Sequence, residues 1–86
     1  MKTDCLIRFF EKEDRSAELF SPEYPRPVHL NRTGTVVWRV FAAGGNEEAA
    51  VGALAETFPE ISLEKLRADV ENFRNEMKKN GFLREN

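Results

Sequence analysis

One histidine and one cysteine are the whole imidazole and thiol reserve of this 86-residue chain. Cys5 and His29 each lie in an extended stretch, so strand pairing could bring them together. A cysteine–histidine nucleophile also needs a third group to orient the imidazole, and nothing here supplies one. A metal centre would need paired ligands at spacings such as CxxC or HExxH, and neither occurs. Gly34, Gly44 and Gly45 do not form a phosphate-cradling loop. They fall at a helix start and a helix end, where glycine serves backbone geometry. Cys5 reads as a small buried hydrophobe, and His29 as a solvated side chain on the outer face of a strand. No catalytic residue, metal ligand or cofactor is expected.

Chemistry that is not catalysis depends on surfaces, and so on the elements that build them. The alternation of Cys5, Ile7 and Phe9 against Leu6 and Phe10 predicts a strand over residues 4–11, covered on both faces. A charged link follows. Residues 17–20 form a weak second strand, with Leu19 its best core position. Residues 21–27 hold three of the four prolines. Proline lacks the N–H that a sheet ladder needs, so this stretch is neither helix nor central strand. Residues 28–30 then make a short third strand, with Val28 and Leu30 on one face and His29 on the other. Pro27 just before it points to an edge position.

Three helices follow. Asn31 is the cap of the first. Val36, Val37, Val40 and Phe41 form its apolar side with Trp38 at core or rim, and Gly44-Gly45 stops it. Asn46 caps the second, Glu47 and Glu48 suit its positive end, and Pro59 ends it. Its stripe is Val51, Leu54, Ala55 and Phe58. Ser62 caps the third, where Leu63, Leu66, Val70, Phe73 and Met77 recur at helical steps, the strongest periodicity in the chain. Lys65 with Asp69, and Arg67 with Glu71, are spaced as i,i+4 pairs. Gly81 terminates this helix, and Phe82 and Leu83 then fold back onto the core or add a short final strand. The expected fold is α+β, winged helix-turn-helix-like: a three-stranded antiparallel sheet followed by three helices, in a single domain over residues 1–86.

Composition narrows the partners. Hydrophobic residues make up 41% and charged residues 33%, enough for one small core with a solvated surface. The net charge is −2, with no basic stripe of the kind nucleic acid requires. A lone cysteine fits a reducing compartment. Residues 5–10 are too short and too interrupted, by Arg8, for a signal peptide. No run approaches a membrane span. The expectation is a cytoplasmic protein with neither membrane nor nucleic acid as partner.

Residues 28–83 carry a recognisable pattern. Leu30, Asn31, Thr33, Gly34, Val37 and Trp38 spell LN-x-TG-x-x-V-W. A glycine pair closes the first helix, Asp69, Val70 and Phe73 give DV-x-x-F, and NGFL ends the third helix. In order and spacing the chain resembles the PqqD-like proteins, also called RiPP recognition elements. The AAGG ending of helix one and the proline-rich approach to the third strand depart from the pattern. The resemblance implies three antiparallel strands on a winged three-helix unit. It also implies binding of the leader of a ribosomally made precursor peptide. That leader is presented to a modifying enzyme, often a radical S-adenosylmethionine enzyme, as in pyrroloquinoline quinone biosynthesis. It would lie as an added strand between the third strand and the third helix.

The residues agree with such a mechanism. An edge strand offers unpaired N–H and C=O groups, which an extended peptide can satisfy. The expected peptide-binding residues are Val28, His29 and Leu30 on the strand, with Leu66, Arg67, Asp69, Val70, Phe73 and Arg74 on the helix. A free edge also allows a homodimer or a strand swap. Two other classes compete. A winged-helix DNA-binding regulator would place the third helix in the major groove, but its cations Lys65, Arg67, Arg74, Lys78 and Lys79 are offset by Glu64, Asp69, Glu71 and Glu76. A small enzyme lacks a constellation.

Overall fold

Each change of element coincides with a residue that forces it. In a computed structural model, which describes residues 7–22 and 24–83, the order is β1 (Arg8–Glu11), β2 (Ala17–Ser21), β3 (Tyr24–Leu30), α1 (Arg32–Ala42), α2 (Glu47–Thr57) and α3 (Leu63–Lys79). The sheet is antiparallel in the order β1-β2-β3, so β3 is an edge. Cys5 and Leu6 lie outside the described residues.

The third strand is longer than the proline rule suggested. It begins at Tyr24 and runs through Pro25 and Pro27. Its register explains how. Leu19 pairs with Val28 and Ser21 with Tyr24, so Phe20 alone faces Pro25, Arg26 and Pro27. The two residues that cannot donate sit where the ladder is already bulged. The first strand is also barer than expected. Phe10 is exposed on the outer face, its ring edge-on to Phe20 at 5.5 Å. The inner face carries Ala17, Leu19 and Leu30, all buried.

The helix ends are fixed chemically. The side chains of Asn31, Asn46 and Ser62 accept from the backbone N–H of Gly34, Ala49 and Lys65, which satisfies donors that a helix start leaves orphaned. α1 and α3 share one closing motif. Gly44 and Gly81 take positive φ, +89° and +82°. Gly45 N–H then donates to Val40 O and Phe82 N–H to Met77 O. The second closure turns the chain back, so that Phe82 and Leu83 enter the core. There Phe82 meets Trp38 at 6.4 Å and Tyr24 at 5.6 Å, tying the chain's last described residues to the start of β3. Phe41, Leu54, Leu66 and Val70 complete the centre. Leu63, the first residue of α3, is exposed and stands outside the core that Leu66 enters one turn later.

Candidate groove between the third strand and the third helix

β3 leads directly into α1 through Asn31, while α3 packs chiefly on α2 and makes little direct contact with β3. The space left between β3 and α3 is a groove with the first turn of α1 as its floor. Two adjoining hollows fill it. One, of about 340 Å³, has walls from Val28, His29 and Leu30 on the strand and from Phe73, Glu76 and Met77 on the helix. The other, of about 470 Å³, continues past Thr33 and Val37 toward Lys65, Asp69 and Asn72. Asn31, Gly34, Phe73 and Glu76 line both.

Gly34 lies on this floor in close approach to its neighbours. A Cβ built there would lie 3.3 Å from a ring carbon of Phe73 and 3.3 Å from the Asn31 side-chain oxygen. The absence of a side chain at position 34 lets α3 bring Phe73 close to the α1 start while Asn31 still caps the helix. Phe73 stacks on Phe41 at 6.3 Å, so the half-buried ring is held from behind. Val28 is half-buried and His29 exposed. Among the described residues Glu76 makes no ion pair, whereas Lys65 and Asp69 are joined at 2.6 Å. Among the described residues the groove therefore shows one apolar ring, an unpaired strand edge and one open carboxylate.

Five of the nine expected peptide-binding residues come together here: Val28, His29, Leu30, Asp69 and Phe73. The other four lie elsewhere in this structure. Leu66 and Val70 are fully buried, so their side chains belong to the core rather than to the groove wall. Arg67 and Arg74 are on the opposite flank of α3, against α2. Arg67 Nη1 reaches Glu48 at 2.5 Å, not Glu71 as its spacing suggested, and Arg74 Nε lies 2.7 Å from Glu47. The groove also contains Asn31, Gly34, Asn72, Glu76 and Met77, which the sequence reading did not place there. Lys65, Asp69, Asn72 and Glu76 recur at steps of 4, 3 and 4 and so mark one polar border of the apolar stripe, though spacing alone does not tell it from the border with Arg67 and Arg74.

Among the described residues no cluster of His, Cys, Asp and Glu could hold a metal ion. No helix among them is long and apolar enough to cross a membrane.

Comparison with known proteins adds two findings. The family model described as coenzyme PQQ synthesis protein D (PqqD) matches residues 18–83. The solved structure of TbiB1 in complex with the TbiA(β) leader peptide superposes with a TM-score of 0.85 at 16% identity. The match covers 100% of this chain and 98% of that one, which establishes the same fold. A search of curated proteins gives no match.

Proposed function

The chain belongs to the PqqD family, and on that premise we propose that it is a non-catalytic adaptor that binds the leader of a ribosomally made precursor peptide. The peptide adds to the free edge of β3, lies in the groove against α3, and is presented to a modifying enzyme of the radical S-adenosylmethionine type. The single observation that carries this reading is the groove itself: an edge strand and an aromatic-bearing helix face held apart by the α1 start. TbiB1, of the same fold, is solved with a leader peptide.

The physical chemistry supports the site. β-Augmentation takes its affinity from main-chain hydrogen bonds and its selectivity from side-chain pockets. Pro25 and Pro27 have no N–H to give, so an added strand bonds chiefly along residues 28–30. The same prolines guard the rest of the edge against indiscriminate pairing. Phe73 offers the apolar anchor, and His29, Asp69 and Glu76 meet the peptide's polar groups. Leu66 and Val70 act from within the core by fixing the helix that bears Phe73. Residues 1–86 act in the cytoplasm as one peptide-recognition unit, with no cofactor of their own.

A DNA-binding role is not favoured. Three of the five cations along α3, Lys65, Arg67 and Arg74, are each held by a carboxylate, and phosphate binding there would have to displace those partners.

Calorimetric titration with the leader peptide encoded beside this gene tests the proposal. One peptide per chain is expected, recovered with its mass unchanged. A peptide altered by this chain alone would overturn the adaptor reading, as would failure to bind even with the modifying enzyme present.

A further inference from the structure

The flank of α1 opposite the groove holds a second concavity, of about 360 Å³. Arg15 lines it from the β1–β2 turn, Arg32 and Arg39 line it from α1, and Val36 and Phe58 add apolar wall. Among the described residues Glu11 is the one carboxylate at this pocket, and it is paired with Arg39. Among the described residues Arg15 and Arg32 have no ion-pair partner. Three guanidiniums therefore surround one carboxylate on a chain whose net charge is −2.

The backbone of Arg15 is a second, independent observation. Its φ is +72°, the left-handed region in which glycine is at ease and other residues are strained. The turn around it is tightly made. Lys12 N–H donates to Ser16 O at 2.8 Å, Arg15 N–H to Lys12 O at 3.0 Å, and the Asp14 carboxylate accepts from Ser16 at 2.5 and 3.0 Å. A large cation thus stands, at a cost to the backbone, where a glycine would relieve it. Strain retained beside unpaired positive charge points to binding.

We propose that this pocket docks a carboxylate-rich segment of a partner protein, and, resting on the adaptor reading above, that the partner is the enzyme receiving the bound peptide. Guanidinium forks match carboxylates two bonds at a time, and Val36 and Phe58 take the flanking apolar contact. The placement suits an adaptor. Thr33, Gly34 and Val37 face the groove while Arg32, Val36 and Arg39 face the pocket, so both surfaces can be occupied together.

The test titrates the full chain with an end-blocked tetraglutamate peptide, with and without saturating leader peptide. Proton–nitrogen spectra follow the arginine Nε–H signals. Arg15, Arg32 and Arg39 are expected to shift together and saturably, to the same degree when leader is bound. Arg15→Gly is expected to weaken tetraglutamate by roughly two- to fivefold, to melt at the same or a higher temperature, and to bind leader as the parent does. Three results would overturn the proposal: Arg15→Gly binding tetraglutamate undiminished, equal shifts at Arg67 and Arg74, or inorganic phosphate binding more tightly than the peptide. Leader binding lost while these shifts persist would strike the reading of the groove and leave the pocket standing.

Discussion

Gly34 is where strand, helix start and groove wall meet, and it makes the sharpest single-residue test of the site. A methyl group there must move the Phe73 ring or the Asn31 oxygen by a few tenths of an ångström. Alanine is also the better helix former, by about 1 kcal/mol. The two effects offset, so Gly34→Ala should change unfolding stability by no more than about 1 kcal/mol while weakening leader binding through the displaced ring. Unchanged affinity in a folded variant would remove Phe73 from the site. Asp14 makes a second residue-scale test. Hydrogen bonds from Ser16 hold its carboxyl below the ordinary value of 3.8. A group with a depressed folded pKa stabilises the fold above its unfolded value and loses that contribution as pH falls through the folded one. The turn should therefore persist at neutral pH and loosen only in acid, below the ordinary carboxylate range. Carboxyl-carbon NMR should find the Asp14 midpoint below 3.8, and Ser16→Ala should raise it.

At the scale of elements, chemistry at the ends decides more than the middles do. A Cβ at Gly45 would lie 2.6 Å from Val40 Cγ1 and 3.0 Å from Val40 O. Gly52, in the exposed middle of α2, has nothing within 4 Å. Gly45→Ala should therefore destabilise by about 1–3 kcal/mol through overpacking. Gly52→Ala should stabilise by roughly 0.5–1 kcal/mol. Denaturant titrations of the two variants should move in opposite directions; movement in the same direction would contradict the closing geometry of α1. The caps Asn31, Asn46 and Ser62 and the stop at Gly81 were all legible in the sequence, because each rests on local hydrogen bonding; the sequence left Phe82 and Leu83 open between a return to the core and a final strand. The flank of α3 that faces the groove was not. A stripe of Leu66, Val70, Phe73 and Met77 has two polar borders, one with Arg67 and Arg74, the other with Asp69, Asn72 and Glu76. Which border is free depends on where α2 docks, a tertiary fact that helical spacing does not contain. The full length of β3 was hidden for a related reason: a bulge opposite Phe20 admits prolines that a regular ladder would refuse.

On the scale of the whole molecule, the chain is thin, 36 × 32 × 18 Å. One sheet layer and one helix layer leave both faces close to every core residue, so groove and pocket share α1 as a common wall. With so small a core, Leu66→Ala should cost about 2–5 kcal/mol and lose leader binding only through unfolding. Stabilising osmolyte should then restore the affinity; affinity that stays low in the refolded variant would make Leu66 a wall residue after all. Amide NMR during titration with the leader peptide shows whether the strand–helix groove is where the peptide binds. A leader strand in the groove should shift residues 28–30 saturably together with Asp69, Asn72, Phe73 and Glu76, and change Arg67 and Glu71 little. Saturable binding that shifts the Arg67 flank and leaves residues 28–30 untouched would contradict that placement.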